Sequence, residues 1–362
     1  MRQEPLTRRS VYTSALLLFA ASGVLLAANR SIVTVASTVP PNGDLNPYGV
    51  AVVPSTVGAL TAGHVLVSNF NNSANLQGTG TTIMDIAPDG AVSVFAQIDA
   101  STLPGPCPGG VGLTTALVVL RAGWVIVGSL PTTDGTSATA QAGCLLVLDN
   151  HGVVVETIAD TLINGPWDMA ARDLGNAASL FVTNVLNGTV AGNGGLVDEG
   201  TVIRINIVVT KTEAPVVQSI NTIGSGFPER TDPAALVIGP TGVGLNGDGT
   251  LYVADSLDNR IAAIPNALDR LTTVGVGTTV LSYQGLNDPL GLTVLGGNIL
   301  TVNGNNGLLI VVCAGGTVLG EGLLDNSGMP PGAGALFGLA GAVEGLYFVD
   351  DATNTLNLLA NN

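Results

Sequence analysis

Oxygen-bearing side chains recur in this sequence at one equivalent position, directly after a short apolar run. In chain order the position is occupied by Asn69, Ser129, Asn184, Asp255, Asn303 and Asp350. Amide and carboxylate oxygens are the ligands that calcium prefers. A structural role is nevertheless favoured for the recurring set, because Asn, Asp and Ser also hydrogen-bond nearby backbone amides and fix turns.

A second recurring position carries mostly bulky side chains, between a proline and a glycine in the clearest copies. Its occupants are Tyr48, Thr114, Trp167, Thr241, Leu290 and Phe337. Asp168 stands where the following glycine is expected and places a carboxylate beside Trp167. Apolar groups next to a few polar ones are the usual make-up of a ligand pocket. The predicted ligand-binding residues are Tyr48, Phe70, Trp167, Asp168 and Phe337.

Several catalytic chemistries lack the residues they need. A catalytic zinc site of the three-histidine kind is disfavoured because the chain has only His64 and His151, both predicted to lie on the surface. No Gly-x-Ser-x-Gly nucleophile elbow occurs. The run Gly242-Val-Gly-Leu-Asn-Gly247 leads into a strand, whereas a dinucleotide site requires a helix there.

Both recurring positions belong to a repeated pair of strands. In the best-formed copy Pro240-Thr-Gly242 begins a strand, Asn246-Gly-Asp-Gly249 turns the chain, and Leu251-Tyr-Val-Ala-Asp255 returns it. Each of six copies continues into a third strand and often a fourth. Such units bury both faces only by stacking around an axis. The sequence therefore predicts one all-β domain over residues 29–362, a six-bladed β-propeller of four-stranded antiparallel blades.

The best-formed copy closely resembles an NHL repeat, and the resemblance extends over residues 30–362. More distantly, the chain is similar to the six-bladed propellers of the gluconolactonase and paraoxonase groups. That similarity implies calcium at the channel mouth and hydrolysis of a lactone or ester. The candidate metal ligands that it implies are Asp168, Asn184, Asp255, Asn303 and Asp350. Those groups place a glutamate at an early mouth position, and no glutamate stands at any strand start here. The fold that the resemblance implies hosts hydrolases, lyases and binding modules alike.

The two ends of the domain are predicted to share one blade. The sixth copy ends with Thr355-Leu-Asn-Leu-Leu359, which leaves its blade without an outermost strand. Ser31-Ile-Val-Thr-Val-Ala36 reads as a strand without a blade of its own. Pairing of the two would remove an exposed sheet edge and close the ring.

Loop lengths predict where a binding cleft lies on the mouth face. Residues 70–80, 130–142 and 185–199 come after the second strands of the first three units and are long, whereas the later turns are short. These loops contain Phe70, Asn71-Asn72 and Asp198-Glu199, and recognition residues often lie on loops. We therefore expect a cleft walled by the first three blades.

Composition indicates an exported protein. In residues 1–28, arginines precede the apolar run 15–28, as in a signal peptide or N-terminal anchor. The formal net charge of −15 and the single lysine, Lys211, disfavour binding to nucleic acid, or to membranes beyond that segment. Cys107 and Cys144 could pair, and Cys313 is expected to be buried in an apolar strand. We expect an extracytoplasmic monomer.

Two functions remain. The favoured one is a binding or scaffold protein that uses the mouth face for a glycan, a peptide, a protein partner or a small molecule. The alternative is a calcium-dependent hydrolase of the lactonase or esterase kind. Beyond possible calcium, no cofactor is expected. The binding function is favoured because positive sequence evidence for chemistry is lacking.

Overall fold

The computed structural model of the protein describes residues 30–361, so the predicted signal or anchor segment, residues 1–28, lies outside the described residues. Strand β1, Ile32–Ser37, comes first and belongs to the last blade. Blade 1 contains β2 Leu45–Val52, β3 Val65–Asn71, β4 Thr82–Ile86 and β5 Val92–Gln97. Blade 2 contains β6 Leu113–Val119, β7 Val125–Ser129, β8 Leu145–Leu148 and β9 Val154–Ile158.

The third blade is the largest. It contains β10 Pro166–Asp173, β11 Ala177–Asn184, β12 Val197–Val208, β13 Val216–Asp232 and the short β14 Leu236–Ile238. Blade 4 contains β15 Pro240–Leu245, β16 Leu251–Asp255, β17 Arg260–Ile264 and β18 Thr278–Ser282. Blade 5 contains β19 Pro289–Leu295, β20 Asn298–Asn303, β21 Leu308–Cys313 and β22 Val318–Leu323. Blade 6 contains β23 Leu336–Gly341, β24 Gly345–Asp350, β25 Thr355–Ala360 and β1.

Helical structure is limited to short connections. Helix α1, Thr189–Gly192, comes after β11, and single 3-10 turns occur at Ala100–Thr102 and Ser137–Thr139. No helix within residues 30–361 is long and apolar enough to cross a membrane. The scarcity of helix is expected from the sequence, because β-branched residues and frequent glycine turns favour short strands.

The innermost strands form a closed ring. Each of β2, β6, β10, β15, β19 and β23 packs against the next, and β23 packs back against β2. The predicted six-bladed all-β fold is thus confirmed. The predicted closure is confirmed as well, because β1 pairs antiparallel with β25 in the register Ile32 to Leu359. Closure leaves the sixth sheet with four strands, like most of its neighbours.

Close packing between inner strands explains the repeated Pro-x-Gly. A Cβ atom on Gly291 would collide with the carbonyl oxygen of Phe337, and one on Gly338 with that of Tyr48. Glycine is therefore required where one blade's inner strand touches the backbone of the next. Blades 2 and 3 break this rule with Thr115 and Asp168 at the equivalent position.

Cys107 and Cys144 form a disulfide that joins the segment before β6 to the residue before β8. The third cysteine differs from the prediction. Cys313 ends β21 and is a half-buried free thiol, not a fully buried one. The apolar run of β21 buries its central residues, but Cys313 lies at the strand end, where the next turn begins.

Candidate functional site

The bulky residues of the second recurring position meet at one end of the channel. The ring centroids of Tyr48 and Phe337 are 3.9 Å apart, those of Tyr48 and Phe70 are 4.5 Å apart, and Trp167 lies 6.3 Å from Phe337. All four side chains are 3% exposed or less. Stacked and buried, they close the channel instead of rimming an open mouth. We call Tyr48, Phe70, Trp167 and Phe337 the aromatic plug.

Phe70 reaches the plug from a strand. The sequence places it at the start of a loop, but β3 continues through Asn71, which is also buried. Asp198 and Glu199 likewise belong to β12 and not to a loop. Apolar residues of the long connections, including Leu130, cover the plug and form one cluster with it. Burying these side chains removes apolar area from water, and the free energy gained outweighs the conformational entropy that the loops lose.

A cleft of about 380 Å³ lies beside the plug. The prediction of a cleft walled by the first three blades differs from the observed position. One wall is the end of β13 with the following turn and β14. The other walls are the short turns after the second strands of blades 4 and 5 and the segments that lead into β19 and β23. We call this space the mouth cleft. Leu290 and Phe337 form its apolar floor, next to Ala235 and Ile238.

Charged groups line the mouth cleft on opposite sides. From β13, Arg230 and Asp232 form an ion pair of 3.0 Å. From blade 5, Asp288 presents a carboxylate whose Oδ1 is buried without a hydrogen-bond partner. Burial and the nearby charge of Asp232 raise the pKa of Asp288 to about 6, opposed by Arg230. A carboxylate with a free acceptor beside a cation can bind a hydroxyl or an N–H group.

Backbone geometry positions Asp288. Its φ is 58°, in the left-handed region, and Asn46 has the equivalent conformation in blade 1, with a φ of 57°. Asp and Asn tolerate this conformation better than other residues with a Cβ. The Asp288 N–H donates to Asn259 Oδ1 at 2.7 Å, and the Asn46 N–H donates to Asn354 Oδ1 at 2.8 Å. The preceding blade therefore clamps the entry to each of these inner strands.

Sequence reasoning missed Asp288 although a signal existed. In each unit one residue directly precedes the proline or leucine that begins the repeated inner-strand motif. In chain order these residues are Asn46, Gly112, Gly165, Gly239, Asp288 and Ala335. Only the fifth unit has a carboxylate there, which is the same kind of break that singled out Asp168. Arg230 and Asp232 have no counterpart in the other units, because they belong to the extended β13.

Asp168 lies beneath the plug and inside the channel. It is 8% exposed, and its carboxylate accepts the N–H of Met169 at 2.8 Å and that of Val243, in the next blade, at 3.0 Å. Burial raises the pKa of Asp168 to about 7, and those two hydrogen bonds oppose the rise. Asp168 and the mouth cleft lie in different cavities.

The recurring polar residues bond within their own blades. Asn69 donates to Thr38 O at 3.0 Å, Asn303 donates to Gly285 O at 2.8 Å, and Asn184 accepts the N–H of Asn164 at 2.9 Å. Each contact holds the segment that leads into the same blade. This agrees with the structural role that the sequence favoured.

The remaining acidic members are also engaged. Asp255 Oδ2 lies 2.7 Å from Arg260 Nη2, and Asp350 accepts the N–H of Thr353 at 3.1 Å. The pKa of Asp255 is raised to about 6, because burial outweighs Arg260. Burial, and after it Asp350 and Asp325, raises the pKa of Asp351 to about 7.

The candidate calcium ligands do not converge. Among residues 30–361, no group of three His, Cys, Asp or Glu side chains is placed to hold a metal ion. Calcium takes six to eight oxygens. The candidates Asn184, Asp255, Asn303 and Asp350 stand one to a blade, and each makes a local contact, although Asp255 Oδ1 and Asn303 Oδ1 are buried without a partner. Asp168 is bonded to backbone amides. This donor set does not fit a preformed calcium site.

The two histidines lie away from the mouth. His64 precedes β3 and its Nδ1 is 2.9 Å from Asp85 Oδ1, and His151 is exposed in the turn between β8 and β9. Neither lines the mouth cleft.

Comparison with known proteins supports the fold. No protein-family model and no curated protein sequence matches the chain. Among solved structures, the chain is similar to a protein assigned as a gluconolactonase, with a TM-score of 0.52 and 17% identity over 92% of this chain and 93% of that one. Regucalcin from Agrobacterium tumefaciens, a calcium-binding protein, gives 0.52 and 13%, over 90% and 94%.

Virginiamycin B lyase from Staphylococcus aureus gives a TM-score of 0.51 and 13% identity, over 92% of this chain and 99% of that one. These structural neighbours are six-bladed propellers of the gluconolactonase, regucalcin and lyase types. At such identities the likeness shows the fold, and it leaves the reaction open.

Proposed function

We propose that this protein is an exported binding module whose mouth cleft holds the polar end of a saccharide. The observation that carries the proposal is the cleft itself, in which Asp288 offers a buried, unpartnered carboxylate oxygen above an apolar floor. Sugar hydroxyls both donate and accept, so they can use Asp288 and the Arg230–Asp232 pair together. The apolar face of a sugar ring would rest against Leu290 and Phe337.

The rim of the cleft adds amide groups suited to the same ligand. Asn259, Asn287 and Asn305 line it from the turns of blades 4 and 5. An amide side chain both donates and accepts hydrogen bonds, as a sugar hydroxyl does. Peptides and protein partners are less well served, because the concave space is small.

Export is supported by three features. The disulfide between Cys107 and Cys144 suits an oxidising compartment. Residues 1–28 have the layout of a signal or anchor segment. The acidic net charge of −15 keeps the protein soluble and away from anionic surfaces.

Ligand-observed NMR with a panel of methyl glycosides and short oligosaccharides tests the binding function. We expect saturation transfer from the wild-type protein to at least one glycoside, and its loss in Asp288→Ala. Asp99→Ala is the matched control, because Asp99 is exposed and remote from the cleft. Absence of transfer across the panel, or transfer that persists in Asp288→Ala, would contradict the proposal.

The calcium-dependent hydrolase remains the second candidate, because the gluconolactonase and regucalcin structures share the fold. The scattered donor set described above weighs against it. Thermal unfolding with calcium or a chelator, paired with a lactone hydrolysis assay, separates the two functions. A calcium-dependent rise in Tm together with lactone hydrolysis would replace the binding function by the enzyme.

A further inference from the structure

A second cavity occupies the channel beneath the aromatic plug. Its volume is about 240 Å³, and the inner strands of all six blades contribute to its walls. We call it the axial well. Along β10 the wall residues change from buried Met169 to half-buried Ala171, so exposure increases away from the plug. The well is therefore closed at the mouth face and opens toward the opposite face, away from the mouth cleft.

Two polar side chains mark the closed end. They are Thr115 and Asp168, the two residues that replace the repeated glycine. Thr115 is 4% exposed, and its Oγ1 is buried without a hydrogen-bond partner. Each oxygen of Asp168 accepts one backbone N–H and keeps a further lone pair. An unpartnered buried hydroxyl costs free energy unless an occupant satisfies it.

The accessible surface of the rest of the well is mostly polar, and apolar side chains contribute a smaller part of it. Leu117, Leu292 and Leu339 line it, and Asp168 is the single titratable side chain among the described residues that do. A carboxylate buried in such surroundings lacks a compensating charge. A cationic occupant with several donors and no acceptor would supply that charge and also satisfy Thr115.

We propose that the axial well binds a short primary alkylammonium ion. Its ammonium group, with three N–H donors, lies against Asp168 and the hydroxyl oxygen of Thr115. Its alkyl chain runs toward the opening, past the half-buried Thr293 and Leu339. A calcium ion is a poor match, because one carboxylate and one hydroxyl fall well short of six to eight oxygen ligands.

Isothermal titration of the full chain at pH 8 tests the proposal, with n-butylammonium chloride and 1-butanol as matched probes. At that pH Asp168 is charged, because burial raises its pKa only to about 7. We expect butylammonium to bind at least about tenfold more tightly than butanol, a difference of about 1.4 kcal/mol. Asp168→Asn should weaken butylammonium about tenfold, and Thr115→Val should weaken it less.

Two variants serve as controls and one as a reserve. Asp99→Asn, on the surface, and Asp288→Asn, in the mouth cleft, should leave butylammonium binding unchanged. Should Asp168→Asn fail to fold, Thr293→Phe fills the half-buried wall of the well and should abolish binding. Equal affinity for butanol, undiminished binding in Asp168→Asn or Thr293→Phe, or displacement of butylammonium by equimolar calcium would each overturn the proposal. Loss of glycoside binding alone would overturn only the function proposed for the mouth cleft.

Discussion

The two halves of the mouth face differ in the connections that leave each second strand. In blades 1 to 3 long connections fold over the plug, and those of blades 1 and 2 bond to each other, because the Thr132 N–H donates to Gly78 O at 2.9 Å. Gln77 Nε2 also donates to Pro233 O at 2.9 Å, in the turn between β13 and β14. In blades 4 to 6 short turns leave the mouth cleft open. The long connections therefore lie in the closed half of the mouth face. The polar groups of the cleft come from short turns and an extended strand.

The largest effect is expected where the two halves meet, at Phe337. This side chain stacks in the plug and also forms the floor of the mouth cleft. Phe337→Ala should lower the free energy of unfolding by about 3–5 kcal/mol, through lost burial and the cavity left behind. Urea unfolding measures the change. Leu257→Ala, a half-buried residue of the open half, is the control and should cost much less; equal costs would remove the distinction between the halves.

The disulfide belongs to the closed half. It joins residues that are 37 positions apart. The Cys107→Ser, Cys144→Ser double variant should lose about 3 kcal/mol, mainly because the unfolded chain regains freedom. Denaturant unfolding of the oxidised wild type and the variant gives this difference. Cys313→Ser removes the free thiol and is the control, so it should leave the free energy of unfolding unchanged. If Cys313→Ser is as damaging as the double variant, the chain entropy of the unfolded state is not the cause of the loss in stability.

A buried acid should make the closed half sensitive to pH. Glu229 is fully buried, and its Oε1 accepts the hydroxyl of Thr189 at 3.0 Å. Burial raises the pKa of Glu229 from 4.5 to about 8. The protonated form is thus favoured in the folded state, and its stabilisation is complete below pH 4.5 and is lost as the pH rises through 8.

Glu229→Gln should remove this dependence. We expect the variant to be more stable than the wild type at pH 9 and no more stable at pH 4, as measured by urea midpoints across that range. Glu213→Gln is the control, since Glu213 is exposed in the turn between β12 and β13. A wild-type midpoint that is flat between pH 5 and 9 would contradict a protonated Glu229.

The smallest effects should come from the two asparagine clamps. Asn354 and Asn259 each accept the N–H of the residue that enters the next blade, and both have a positive φ. Substitution by glycine keeps that conformation and removes only the side-chain bond. Asn354→Gly, half-buried, should cost about 1 kcal/mol, and Asn259→Gly, exposed in the open half, should cost less. Thermal unfolding measures the loss of stability in each variant. A larger loss in Asn259→Gly than in Asn354→Gly would mean that the clamp in the open half contributes more to stability.

Much of the fold could be predicted because the repeat is local. Pro-x-Gly starts and Asn-Gly-Asp-Gly turns report backbone requirements, and six copies specify six blades. The aromatic and polar positions were found in the same way. The cleft was misplaced because loop length says nothing of where a loop packs. Apolar residues such as Leu130 and Val185 in those loops were the signal that they would be buried.

The sequence by itself determined the number of blades, the strand shared by the chain's two ends, and the positions where the repeat is broken. Only the tertiary structure decided that the aromatic side chains seal the channel at the mouth, that Asp288 faces the mouth cleft, and that Asp168 and Thr115 share the axial well. The physical reason is that strand and turn preferences act between near neighbours in the chain. Burial and unmet hydrogen bonds depend instead on which distant segments come into contact.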